Sequence, residues 1–146
     1  MFWTTEGERM TEQDVFEKLV PLIREVTGVR EDRITMDSGL MQDLGAESVD
    51  LLDLTFLIEE IFGITIEADE FEQRARQRMP GGLYEENGCL TEDALEELKK
   101  ALPEVPAERF APGLKKIELP SVLNVAVFVH LVQRKLAERA QEAGHA

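Results

Sequence analysis

Eleven consecutive residues near the C-terminus, Val122 to Val132, include only two polar side chains, Asn124 and His130. The run is well short of the ~20 apolar residues of a membrane span, so we read it as the start of a helix, opened by Ser121 and extending from Val122 to about Ala140. A helix apolar on all sides must be covered on all sides. The cover is either the 79–119 segment or a second copy of the chain, and the expectation is the former. The chain's 146 residues are enough for one domain with a real core.

Four more helices are expected. Thr11 caps a run whose apolar positions Val15, Phe16, Leu19, Leu22, Ile23 and Val26 keep helical spacing as far as Gly28, with Pro21 placed to kink it. Residues 29–47 lose the period and form a long ordered loop pinned by Ile34, Met36, Leu40 and Leu44. Ser48 to Phe62 is the second helix, with Val49, Leu52, Leu54, Ile58, Ile61 and Phe62 on or near its buried side; Gly63 stops it, and Ile64-Thr65-Ile66 is a short extended anchor. Glu67 to Arg78 is acidic at its start and basic at its end, which suits the helix dipole. Thr91 caps Glu92 to Ala101, and Pro103, Pro106 and Pro112 punctuate the irregular segment after that helix. The expected fold is all-α, a single domain over 1–146 with flexible ends at 1–10 and 141–146.

The charge is lopsided. Ile34 to Gln73 contains no Lys or Arg but eleven acids, within a chain of net charge -14. Nucleic-acid binding rests on cations meeting phosphates, so it is disfavoured, as is an anionic membrane surface; basic proteins are the expected partners. The N-terminus lacks the pattern of a signal peptide, which together with the short apolar runs reads as cytoplasmic and not integral to a membrane. Cys89 is the only cysteine, which leaves no internal disulfide and no cysteine metal site.

Within the acidic stretch, Ser48 stands where a helix should begin. Serine is a preferred N-cap, and that alone would explain it. Its surroundings say more: a helix, an apolar-anchored loop, Asp43-Leu44-Gly45-Ala46-Glu47-Ser48-Val49-Asp50, an acidic helix through Leu52, Leu54 and Ile58, then Glu59-Glu60 and Phe62-Gly63-Ile64. This order resembles the acyl carrier protein family over about the first seventy residues, and Ser121-Val122 is similar to the opening of that family's last helix. Glu47-Ser48-Val49 departs from the more usual Asp-Ser-Leu, and the 67–119 region is several times longer than its counterpart.

The resemblance implies an acyl-carrier-type up-and-down helical bundle with an extra helical insertion at 67–119. It implies that Ser48 carries covalent 4'-phosphopantetheine, installed by a phosphopantetheinyl transferase that brings coenzyme A and a metal ion, with Glu47 beside the serine helping to place that metal. The chain would then hold acyl intermediates as thioesters for fatty-acid or specialised lipid biosynthesis, without catalysis of its own. Glu47, Asp50, Asp53, Glu59 and Glu60 would meet basic docking patches on condensing, reducing and acyl-transferring enzymes. Leu52, Leu54, Ile58, Ile66, Val125 and Val129 would line a pocket for the acyl chain. The phosphodiester suits a helix N-terminus, where free amides and the dipole favour an anion by about 0.3 to 1 kcal/mol.

Other readings are weaker. His130 and His145 are the only histidines, and a triad of Ser48, His130 and an Asp has only spacing to support it. Asp37 to Asp43 lacks the alternating ligands of a calcium loop, and Gly81-Gly82 is a turn. The rival from another class is an unmodified carrier-like module that binds protein partners, with Ser48 a plain N-cap.

Overall fold

The first helix forms where the sequence places its signals. In the computed structural model, which describes residues 10–144 and side chains through residue 142, α1 runs Glu12–Thr27. Thr11 Oγ1 accepts the Asp14 N–H at 3.0 Å while the Asp14 carboxylate accepts the Thr11 N–H at 3.1 Å, a reciprocal box that satisfies two otherwise unpaired donors. The helix runs unbroken through exposed Pro21, and Gly28 ends it in the left-handed region. Of the ends expected to be flexible, residues 1–9 and 145–146, His145 included, lie outside the described residues.

A 3-10 turn at Glu31–Arg33 leads into the loop, and α2 follows at Ser48–Phe62. Its core-facing stripe is Leu51, Leu54, Ile58 and Phe62, spaced at three and four residues. Val49, Leu52 and Ile61, expected near the core, are instead more than half exposed. The helix is apolar on two faces, and only the Leu54 face meets the bundle. Ile64 is buried without joining a strand.

α3 spans Glu70–Gln77, beginning later than the expected Glu67. Residues 85–90 form a feature the helical reading omits, a two-strand hairpin of β1 (Glu85–Glu86) and β2 (Cys89–Leu90). Asn87 and Gly88 turn it at φ of 55° and 84°, the pair of positive angles that makes Asn-Gly a hairpin signal. α4, Glu92–Ala101, is capped by Thr91 as expected, its hydroxyl accepting the Ala94 N–H at 3.1 Å.

The last helix, α5, spans Val125–Gly144, so it begins after the expected Ser121 and continues past Ala140. Ser121 belongs to a 3-10 stretch, Lys116–Val122, and donates its hydroxyl to the Glu118 carbonyl. The cap is Asn124, whose side-chain oxygen accepts the Val127 N–H at 3.1 Å while its amide donates to the Glu104 carbonyl at 3.0 Å. Val125, Val127, Val129, Leu131 and Val132 are all 2% exposed or less, and the chain itself covers them. α1 and α2 pack against α5 and against each other; Phe71 of α3 meets Phe128 edge-on with ring centres 6.0 Å apart. α3 pairs with α4, and their buried side chains join the bundle in one continuous core.

Candidate functional site

The loop before α2 is built to fix its first turn. Leu40, Leu44 and Ala46 are buried, and between them Gly39 donates to the Asp43 carboxylate at 2.7 Å, Leu44 to the Gly39 carbonyl at 3.1 Å and Ala46 to the Leu40 carbonyl at 2.9 Å. Gly45 closes the turn at φ 75°, a conformation that costs a residue with a Cβ about 1 to 2 kcal/mol. The loop is tied to α5 by backbone bonds. Leu40 donates to the Leu123 carbonyl, Val125 to Ser38 and Ala126 to Met36, all at 2.9 to 3.1 Å. The Asp43-Leu44-Gly45-Ala46 motif therefore does local work, aiming the start of α2 from a platform anchored on the buried helix.

At that start the cap is Glu47, not Ser48. The Glu47 N–H donates to the Asp50 carboxylate at 2.8 Å, and Ser48 is the first helical residue, exposed to solvent. The capping explanation for this serine does not apply. Its hydroxyl stands at the positive end of the α2 dipole, on the edge of a cleft of about 1090 Å³.

One face of α2, Ser48, Leu51, Leu52, Thr55, Phe56 and Glu59, forms a side of that cleft. The other side comes from Ile66 to Glu72, Glu85, Asn87, Gly88 and the stretch from Lys115 to Leu123, with Phe128 behind them. Of the six residues expected to line an acyl pocket, Leu52 and Ile66 line this cleft, and Leu54, Ile58, Val125 and Val129 do not. Those four are 1% exposed or less, close-packed in the core with no room for a chain among them. Phe56, Phe71, Leu119 and Phe128 line the cleft as well. Phe56 was legible at the same helical spacing as Ser48 and Leu52, whereas the others come from distant segments.

The five acids proposed for partner recognition divide. Glu47, Asp53 and Glu60 are exposed. Asp50 is held to the cap, and Glu59 accepts the Ile66 N–H at 2.7 Å, which makes Glu59 in part a structural residue. Among the described residues, Glu70 is the only one of the eleven acids in the 34–73 stretch with an ion-pair partner, Lys135 at 3.0 Å. Glu47, Asp50 and Asp53, the acids beside Ser48, have no ion-pair partner among the described residues.

His130 lies elsewhere, between Glu104 on Nδ1 and Glu12 on Nε2, each at 2.5 Å. Burial works against its charged form, but the two carboxylates outweigh burial and raise its pKa. It lines no part of the cleft and is committed to joining α1 and α5 to the segment after α4. Among the described residues no helix is long and apolar enough to cross a membrane.

The family described as "Phosphopantetheine attachment site" matches residues 17–76. The chain is similar to the acyl carrier protein of Petrotoga mobilis, 42% identical over 64 residues that make up 44% of this chain and 75% of that protein. It is also similar to the acyl carrier protein of Guillardia theta, 44% identical over 44% of this chain and 79% of that protein, and to that of Treponema denticola, 44% identical over 40% and 80%. No solved structure matches.

Proposed function

Because the chain belongs to the acyl carrier protein family, whose prosthetic group is covalent 4'-phosphopantetheine, we propose that Ser48 is the residue that carries it. The observation that supports this is positional. An exposed hydroxyl opens α2 beside a cleft, presented by the Asp43 to Ala46 turn and not used as a cap. When attached, the arm supplies a thiol on which an acyl group is held as a thioester. The chain's own residues position it: the loop fixes the serine, and the helix terminus favours the phosphodiester. Glu47, next to the serine, is the acid placed to help the transferase seat its metal ion.

Bond making belongs to partner enzymes of fatty-acid or lipid biosynthesis in the cytoplasm. The exposed carboxylates Glu47, Asp53 and Glu60, with Asp50 and Glu59 behind them, attract the basic surfaces of the transferase and of condensing, reducing and acyl-transferring enzymes. Incubation with coenzyme A and a promiscuous phosphopantetheinyl transferase should add one phosphopantetheine mass, absent in Ser48→Ala. A protein that gains no mass, or a Ser48→Ala variant that still gains it, would overturn the assignment.

The family match ends at residue 76, and nearly half the chain lies beyond it. That region, with the cleft it helps to wall, supports service in a specialised lipid pathway more than general fatty-acid synthesis. Native mass spectrometry of the protein from its own host should find a narrow set of long or unusual acyl groups. A spread of ordinary short and medium ones would refute the reading.

A further inference from the structure

Among the described residues the buried polar side chains are Asn124 and Ser38, at 5% and 8% exposure. Both sit where the loop before α2 meets the start of α5. Gly39 and Asn124 form an antiparallel bridge, and beside it Leu40 donates to the Leu123 carbonyl, Val125 to Ser38 and Ala126 to Met36. The Ser38 hydroxyl accepts the Thr35 N–H at 3.0 Å, so it serves its own turn. Asn124 reaches further.

As the cap of α5, Asn124 needs only an oxygen. Its Oδ1 accepts the Val127 N–H, and a Ser or Thr in its place would do the same. Its Nδ2 is additional to that task, and it donates to the Glu104 carbonyl at 3.0 Å. A buried amide left without partners is costly, so this side chain is satisfied only when the segment after α4 and the first turn of α5 are both in place. That segment is fixed in turn. Leu102 and Val105 are buried on either side of Glu104, and the Glu104 carboxylate meets Nδ1 of His130. Glu104 therefore grips α5 at two places, residues 124 and 130.

From Asn124 the connection to Ser48 is short. Gly39, its bridge partner, donates to the Asp43 carboxylate and accepts the Leu44 N–H. Ala46, two residues before Ser48, donates to the Leu40 carbonyl. The loop lies outside any α-helix, and its place is set by these bonds together with Leu40, Leu44 and Ala46 in the core. A shift in the first turn of α5 is thus passed to the turn that presents the serine. Glu104 and Asn124 both lie beyond the 17–76 family match.

We propose that Asn124, held by Glu104, is a positioning residue for Ser48. It fixes the first turn of α5 beneath the loop and so the orientation in which the serine hydroxyl meets the transferase, which makes the segment after α4 a brace for the attachment site. This role rests on attachment at Ser48. A displacement of about 1 Å from a change far from the chemistry can cost about 100-fold in rate, so a partial loss of the brace should cost about tenfold.

The test is steady-state loading of the full-length protein by a promiscuous phosphopantetheinyl transferase with coenzyme A, the carrier being the varied substrate. Asn124→Ser and Asn124→Thr keep an oxygen for the Val127 N–H and lose the donor to Glu104. Each should lower kcat by about tenfold and leave KM within about twofold, because the exposed Asp53 and Glu60 are untouched. Simple destabilisation acts differently: an unfolded fraction removes substrate, which raises the apparent KM and leaves kcat alone. Leu95→Val, buried in α4, is the control for that effect and should keep kcat. The amide resonances of Gly39, Leu44 and Ser48 should move in the Asn124 variants and stay in Leu95→Val. Either Asn124 variant that folds decides the case. An unchanged kcat, an equal fall in Leu95→Val, or amides that do not move overturns the role of Asn124. If mass spectrometry shows that native Ser48 does not load, the attachment reading fails separately, and the amide shifts alone then sustain or overturn the brace.

Discussion

Gly28 and Gly63 end α1 and α2 in the same left-handed conformation, at φ of 78° and 67°, yet their substitution should not cost the same. A Cβ at Gly28 meets nothing within 4 Å, whereas at Gly63 it falls 2.6 Å from Nη1 of Arg139. That guanidinium donates to the carbonyls of Phe62 at 3.1 Å and Gly63 at 2.8 Å, closing the end of α2 where carbonyls lack partners and the dipole is negative. Gly28→Ala therefore carries only the backbone cost, about 1 kcal/mol. Gly63→Ala carries the same plus the loss of the Arg139 bonds, because the guanidinium is the free end of an exposed side chain and moves away more readily than the backbone shifts. Water replaces those bonds, so the added loss is about 1 kcal/mol, for a total of about 2. In a chain of this size that is a fall of roughly 4 to 8 °C in Tm, against roughly 2 to 4 °C for Gly28→Ala. Urea unfolding of both variants, of Arg139→Ala and of the Gly63→Ala/Arg139→Ala double variant measures each term. In the Arg139→Ala background the cost of Gly63→Ala should drop to that of Gly28→Ala. Equal costs for the two glycines in the native background, or an unchanged cost without Arg139, would refute the reasoning.

Two further predictions concern charge. Reversal of Asp53 and Glu60 to Lys should slow loading by the phosphopantetheinyl transferase, more at low salt than at high because screening is weak there, while leaving stability within about 0.5 kcal/mol because both are exposed; a salt-independent rate would dismiss an electrostatic role. The Glu12 and Glu104 carboxylates raise the His130 pKa against the effect of burial, so the stabilisation is complete below the ordinary histidine value and fades as pH rises through the raised one. The native protein should lose about 1 kcal/mol more than His130→Gln between pH 6 and pH 9, discounted for the partial exposure of the ring; parallel stability curves would show the clamp to be inert.

The helices and the serine were legible because their signals are local. Thr11, Gly28, Thr91 and Gly63 mark helix ends through hydrogen bonds and backbone angles that involve only near neighbours, and the Asp43 to Ala46 motif is a turn whose bonds span four to six residues. The same locality explains the near misses. Ser121 looks like a cap by type, but Asn124 holds that place because its amide reaches Glu104, twenty residues away. Ser48 also looks like a cap, but the turn ends one residue earlier and gives the position to Glu47.

The sequence by itself determined a helical carrier with a presented serine and a one-sided acidic face, since helix period, caps and charge are written in consecutive residues. Which apolar residues become core and which become cleft was decided only by the tertiary structure. Leu52 and Leu54 are equally greasy and two positions apart, yet one is 54% exposed at the cleft and the other 1% exposed in the core. Their fates differ because two positions along a helix is about 200° of rotation. That turns Leu54 toward the bundle and Leu52 toward a wall brought from residues 115–123 by contacts no local pattern records.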